Sequence, residues 1–144
     1  MEPHPYILVI DDCTEIANLI CAVLTYTGYS VCLDSTDVRA LPSLAAQPPA
    51  LCLVDLRMPG MHGLEVIEHL RTRGLALAPL VGMTTSSEDA KRARAAGVTC
   101  LDKPFYLEEL LACVARYVLP QLQQVSIGGS MSTGRAAVPL SKHG

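Results

Sequence analysis

Tyr6-Ile7-Leu8-Val9-Ile10-Asp11-Asp12 decides the fold: five apolar residues run without a break into two carboxylates. A short continuous apolar run ended by charge suits a strand buried on both faces of a parallel sheet. The period then changes. From Thr14 to Thr27 the apolar residues Ile16, Ala17, Leu19, Ile20, Val23 and Leu24 recur at helical spacing, Thr14 is placed to cap the start, and Gly28 stands where a C-terminal glycine belongs. The alternation continues down the chain. Further strands are expected at Ser30 to Asp34, Leu51 to Asp55, Leu80 to Met83 and Thr99 to Asp102. Further helices are expected at Asp37 to Ala46, interrupted by Pro42, and at Gly63 to Arg73, Ser87 to Ala96 and Leu107 to Val118.

Five strands alternating with five helices in about 120 residues describe an α/β domain, a doubly wound parallel sheet with helices on both faces and right-handed crossovers. A β/α barrel needs roughly twice that length. Residues 1–119 are therefore expected to form one domain. Beyond Pro120 the composition turns to Gly, Ser, Gln and Thr, so 120–144 is expected to be a flexible tail or linker, too short for a DNA-binding domain of its own.

Composition narrows the function classes. The chain has 144 residues, 50% hydrophobic and 17% charged, with a formal net charge of −3. That suffices for a core without disulfide or metal staples and excludes disorder over most of the length. No apolar run approaches the roughly 18 residues of a membrane span, and the short run after Glu2 meets Asp11 and Asp12 where a signal peptide would carry its cleavage site. A cytoplasmic protein without membrane contact is expected. The six cysteines, Cys13, Cys21, Cys32, Cys52, Cys100 and Cys113, form no C-x-x-C pair and read mostly as buried fillers. His4, His62, His69 and His143 lack metal spacing and read as exposed, whereas Tyr106 and Tyr117 read as packing residues. A mildly acidic balance gives no basic groove for nucleic acid.

In open α/β sheets, ligands bind at the carboxyl ends of the strands. There the first strand ends in Asp11 and Asp12, the third in Asp55, the fourth runs into Thr84 and the fifth into Lys103. Any one of these aspartates alone could be a turn or cap residue. Three carboxylates within about 5 Å repel by roughly 3 kcal/mol per charged pair at an effective dielectric near 20, so the set needs a compensating cation. An all-oxygen cluster suits Mg²⁺, which keeps water and takes a phosphate partner. Lys103 adds a mobile positive charge and Thr84 a hydroxyl. Together they describe a phosphoryl-transfer site with Asp55, on the central strand, as the nucleophile and Asp11 and Asp12 as metal holders.

The acidic pair Asp11-Asp12, the run Leu53-Val54-Asp55-Leu56-Arg57-Met58-Pro59-Gly60-Met61-His62-Gly63, the hydroxyl of Thr84 and the segment Lys103-Pro104-Phe105 occur in order and at β/α spacing. In these features, from about Tyr6 to Val118, the chain resembles the response-regulator receiver domains of two-component systems. The resemblance implies a flavodoxin-like sheet of order 2-1-3-4-5. It implies that Asp55 takes a phosphoryl group from a histidine kinase or phosphotransfer protein, and that a downstream protein target reads the result. It implies Mg²⁺ held by Asp12, by Asp11 largely through water, by Asp55 and by the backbone carbonyl of Arg57. Thr84, the backbone of Thr85 and Lys103 would bind phosphoryl oxygens, and the Lys103–Pro104 peptide would be cis. Such a protein is a signalling receiver, and its only catalysis is of its own phosphorylation and dephosphorylation.

The chain also departs from the pattern. Cys100 stands three residues before Lys103, where an aromatic is usual, so the switch formed by Thr84 and position 100 lacks its aromatic rotamer. His62 replaces a frequent Asp, Thr85 replaces a small Ala and slightly narrows phosphoryl access, and Arg57 bears on hydrolysis of the phosphoaspartate. Two other classes remain as alternatives. One is an unphosphorylated receiver-like interaction module, disfavoured by the complete acidic pocket. The other is a phosphatase with an aspartyl nucleophile, disfavoured because Asp55-Leu56-Arg57 is not a D-x-D pair.

Overall fold

A computed structural model describes residues 5–34, 47–58, 60–75 and 78–129. The elements are β1 (Ile7–Ile10), α1 (Thr14–Thr27), β2 (Val31–Asp34), β3 (Leu51–Asp55), β4 (Arg57–Met58), β5 (Met61–His62), α2 (Leu64–Leu70), a π-turn (Arg71–Leu75), β6 (Leu80–Thr84), α3 (Ser87–Ala95), β7 (Thr99–Asp102) and α4 (Leu107–Gly129). Five strands form one parallel sheet in the order β2-β1-β3-β6-β7, the expected doubly wound order. The weak helix expected at Asp37 to Ala46 lies outside the described residues.

Alternation along the buried strands divides the core between the two faces of the sheet. Ile7, Val9, Leu51, Leu53, Val81 and Met83 pack with Ile20 and Leu24 of α1 and Leu110 and Val114 of α4. Leu8, Ile10, Cys52 and Val54 pack with Val66, Ile67 and Leu70 of α2 and Ala90 and Ala93 of α3. On that face Gly82 of β6 makes room for Leu56, since a Cβ there would stand 2.8 Å from the Leu56 Cδ1. The turn after α1 follows expectation, with Gly28 in the left-handed region at φ 114°. The start does not: Cys13 is the N-cap, Thr14 is the first helical residue, and no side chain caps the helix.

Three further differences have physical causes. Arg57–Met58 and Met61–His62 form a two-stranded antiparallel ladder directly after β3, within what reads in the sequence as a loop. Its turn carries Gly60 at φ 74°, and Leu56 O accepts the Gly63 N–H at 2.6 Å to close it. The second helix stops at Leu70 and loosens into the π-turn, which contains Gly74. The last helix does not end at Val118 but runs through Pro120 to Gly129, into the segment expected to be a flexible tail. Proline removes the N–H that would bond the carbonyl four residues back, yet the helix continues past it. Gln121 Nε2 donates to Tyr117 O at 2.8 Å and to Ala50 O at 2.9 Å, tying this turn of α4 to the start of β3.

Single-residue expectations fare unevenly. Cys52, Cys100 and Cys113 are buried, but Cys13 and Cys32 are exposed, the latter on the edge strand. Tyr106 is exposed, whereas Tyr117 is half-buried and shares a hydrogen bond with the Thr99 hydroxyl at 2.6 Å. His69, expected at the surface, is half-buried.

Candidate functional site

Strand register gathers the polar residues. Ile10 lies opposite Val54, so the next residues along, Asp11 and Asp55, leave adjacent strand ends together. Asp55 lies opposite Met83 and Thr84 opposite Asp102, which brings Thr84 and Lys103 to the same edge. The Lys103 N–H donates to Thr84 O at 2.8 Å, and the Lys103–Pro104 peptide is cis.

Carboxylate oxygens of Asp11, Asp12 and Asp55 all lie within 4.8 Å of one another. Asp11 is fully buried and Asp55 is 7% exposed, while Asp12 faces solvent. Lys103 Nζ donates to Asp11 Oδ2 at 2.8 Å and stands 3.7 Å from Asp55 Oδ2. The remaining oxygens take backbone donors: the Cys13 N–H to Asp11 Oδ1 at 2.9 Å, and the Arg57 N–H to Asp55 Oδ1 at 3.0 Å. Burial pushes the Asp55 carboxyl up to about 6, against the Arg57 N–H and the Lys103 charge, which lower it, and with Asp11, which raises it further. One lysine thus does not fully neutralise the cluster. Three hard oxygen donors around a partly uncompensated negative charge fit a divalent cation such as Mg²⁺.

Thr84 is buried beside this edge, and its Oγ1 accepts the Ser86 N–H at 3.0 Å, which leaves its own proton free to donate. Ser86 is the N-cap of α3, and its Oγ accepts the Asp89 N–H at 3.2 Å. Thr85 is exposed and lines an apolar cleft of about 510 Å³ beside the carboxylates, together with Cys13, Ile16, Ile20, Lys103 and Phe105. Cys100 is buried with Ala90, Ala93 and Val98 beneath α3, and its carbonyl accepts a hydrogen bond from Arg94 Nη2 at 2.8 Å. Asp11, Asp12, Asp55, Thr84 and Lys103 therefore share one edge, whereas Cys100 sits in the core.

A family model described as the response regulator receiver domain matches residues 7–115. The chain belongs to this family. Among curated proteins, this receiver domain is 39% identical over 111 residues to the response regulator MprA of Mycobacterium avium (strain 104), covering 74% of the chain and 47% of MprA. The chain thus spans about half the length of the curated relatives it matches. Among solved structures, the Vibrio cholerae chemotaxis protein CheY4 is 28% identical with a TM-score of 0.66, over 80% of this chain and 99% of that one. The receiver domain of HemR from Leptospira biflexa, 23% identical over 80% of this chain and 94% of its own, has the same fold with a TM-score of 0.66.

One buried charge near this edge escaped the sequence. Asp89, in the first turn of α3, is buried, and its Oδ2 lies 3.5 Å from Arg57 Nη2. A carboxylate three residues after a Ser N-cap reads as an exposed first-turn acid. It turns inward against Arg57 of the hairpin and Gly63, and the sequence does not display that hairpin.

Proposed function

We propose that this receiver domain takes a phosphoryl group on Asp55 from a phosphohistidine of a histidine kinase or phosphotransfer protein, and that the switch so set is read by a downstream protein. The observation that supports this best is the buried Asp55 carboxylate, held between the Arg57 N–H and the Lys103 ammonium at the carboxyl edge of the central strand. In the transfer, an Asp55 oxygen attacks phosphorus in line, the bond from phosphorus to the donor nitrogen breaks, and the electron pair leaves with the imidazole. The product is a mixed carboxylic–phosphoric anhydride. Catalysis of such a loose transfer consists of positioning and charge neutralisation.

Each neighbouring residue has a part in that transfer. Asp11, Asp12, Asp55 and the Arg57 carbonyl would hold Mg²⁺, which supplies compensation for the added phosphoryl charge when bound. Lys103, shared between Asp11 and Asp55, pairs with a phosphoryl oxygen, and Thr84 donates its free proton to another. The exposed Thr85 offers its backbone N–H at the rim. The protein acts as a signalling receiver in the cytoplasm, and among the described residues no helix is long and apolar enough to cross a membrane.

Incubation with Mg²⁺ and acetyl phosphate tests the reading by intact mass. A single base-labile phosphoryl adduct, absent from Asp55→Asn, is expected. No adduct with any donor would point to the constitutive interaction module, and repeated turnover of phosphate esters to a phosphatase.

A further inference from the structure

Among the described residues, Asp89 is the buried acid that the transfer chemistry leaves unused. Its side chain is 7% exposed, its Oδ1 would stand 3.2 Å from a Cβ built on Gly63, and its Oδ2 faces the guanidinium of Arg57, a side chain 61% exposed. The carboxylate is thus wedged between the N-terminus of α2 and the β4–β5 hairpin while its own backbone belongs to α3. A buried carboxylate is costly when its counter-ion leaves.

That counter-ion has a second place to go. The Arg57 N–H lies 3.0 Å from Asp55 Oδ1, so the Arg57 Cα is within about 4.5 Å of that oxygen, well inside the reach of the side chain. A phosphoryl group on Asp55 carries about −1.5 to −2 and presents oxygens that suit a guanidinium fork. Asp89 offers a single negative charge at 3.5 Å.

We propose that Arg57 exchanges counter-ions on phosphorylation, leaving Asp89 for the phosphoryl oxygens, and that the uncompensated Asp89 carboxylate then loosens the first turn of α3. This rests on the phosphoacceptor reading of Asp55. The same turn is tied to the site a second time, because Thr84 Oγ1 holds the N–H of Ser86 and Ser86 Oγ holds the N–H of Asp89. Any movement of Thr84 toward Asp55 therefore reaches the same cap. Arg57 and Asp89 form a charge lever in a chain whose position 100 is a buried cysteine without an aromatic side chain to swing. Asp89 is a positioning residue here, since it acts through Arg57.

Hydrogen exchange of the full chain with Mg²⁺, with and without acetyl phosphate, tests the lever, with adduct occupancy on each sample measured by intact mass. In the wild type, amides of the first turn of α3 should exchange about tenfold faster per phosphorylated molecule. In Asp89→Asn, which leaves no buried charge to expose, and in Arg57→Ala, which has no guanidinium to move, that change should fall below about twofold at matched occupancy. A wild-type-sized response in both variants would overturn the lever while leaving the phosphoacceptor reading intact. A wild type that carries no adduct would overturn the phosphoacceptor reading, and the lever with it.

Discussion

Replacing Asp55 by Asn should stabilise the metal-free protein, and the gain should depend on pH. Asn keeps the shape of the side chain and an oxygen to accept the Arg57 N–H, so the substitution removes little besides the charge. The Asp55 carboxyl is raised from 3.8 to about 6, mainly by burial. The folded state then holds its proton more tightly than the unfolded chain, so stability from this group is present at low pH and is lost as pH rises from about 4 through 6. Two pH units correspond to about 3 kcal/mol at pH 7.5 and to about half that at pH 5. In EDTA, urea unfolding of Asp55→Asn against the wild type should show this advantage at pH 7.5 and a shrinking one toward pH 4. Mg²⁺ at a hundredfold excess over its dissociation constant should return about 2.7 kcal/mol to the wild type and much less to the variant. A variant no more stable than the wild type at pH 7.5, or a gain that does not change between pH 4 and 7.5, would refute the reasoning.

Removing Lys103 leaves the fully buried Asp11 without its 2.8 Å partner, and Lys103→Met should cost the metal-free protein about 3 kcal/mol or more in urea unfolding. A loss below about 1 kcal/mol would show that the pair contributes little. Gly82→Ala pushes a Cβ to 2.8 Å from Leu56 and should cost about 1–3 kcal/mol, with the adduct on Asp55 still formed if the clash is confined to the core. Arg57→Ala should change the half-life of the phosphoaspartate, followed by loss of the mass adduct after the donor is removed, by about threefold or more, because charge-assisted contacts to a phosphoryl group are strong. An unchanged half-life would remove Arg57 from that chemistry.

The sheet was legible because its strands are buried on both faces, which prints Ile7–Ile10 and Leu51–Asp55 into the sequence as unbroken apolar runs ended by charge. The gathering of Asp11, Asp12, Asp55, Thr84 and Lys103 at one edge was legible for the same reason: each stands at or just past the end of a strand, where the topology brings them together. What the sequence withheld depends on contacts made by single side chains across the fold. Pro120 reads as a helix stop, yet α4 continues past it and is tied to the sheet where Gln121 reaches Ala50, 71 positions away. The two-residue strands of the hairpin are too short to carry any period, so the placement of Arg57 against Asp89, 32 positions apart, has no sequence signature. Cys32 shows the limit of composition. A cysteine in an apolar run reads as core, but on an edge strand one face of that run meets solvent.

Reductive trapping of the phosphorylated protein tests the role of Asp55 most directly. Borohydride converts an aspartyl phosphate to homoserine, which peptide mass mapping places at one position. After incubation with Mg²⁺ and acetyl phosphate, the conversion should appear at residue 55 and nowhere else. Conversion at Asp11, Asp12 or another carboxylate, or a phosphorylated protein with residue 55 unchanged, would contradict it.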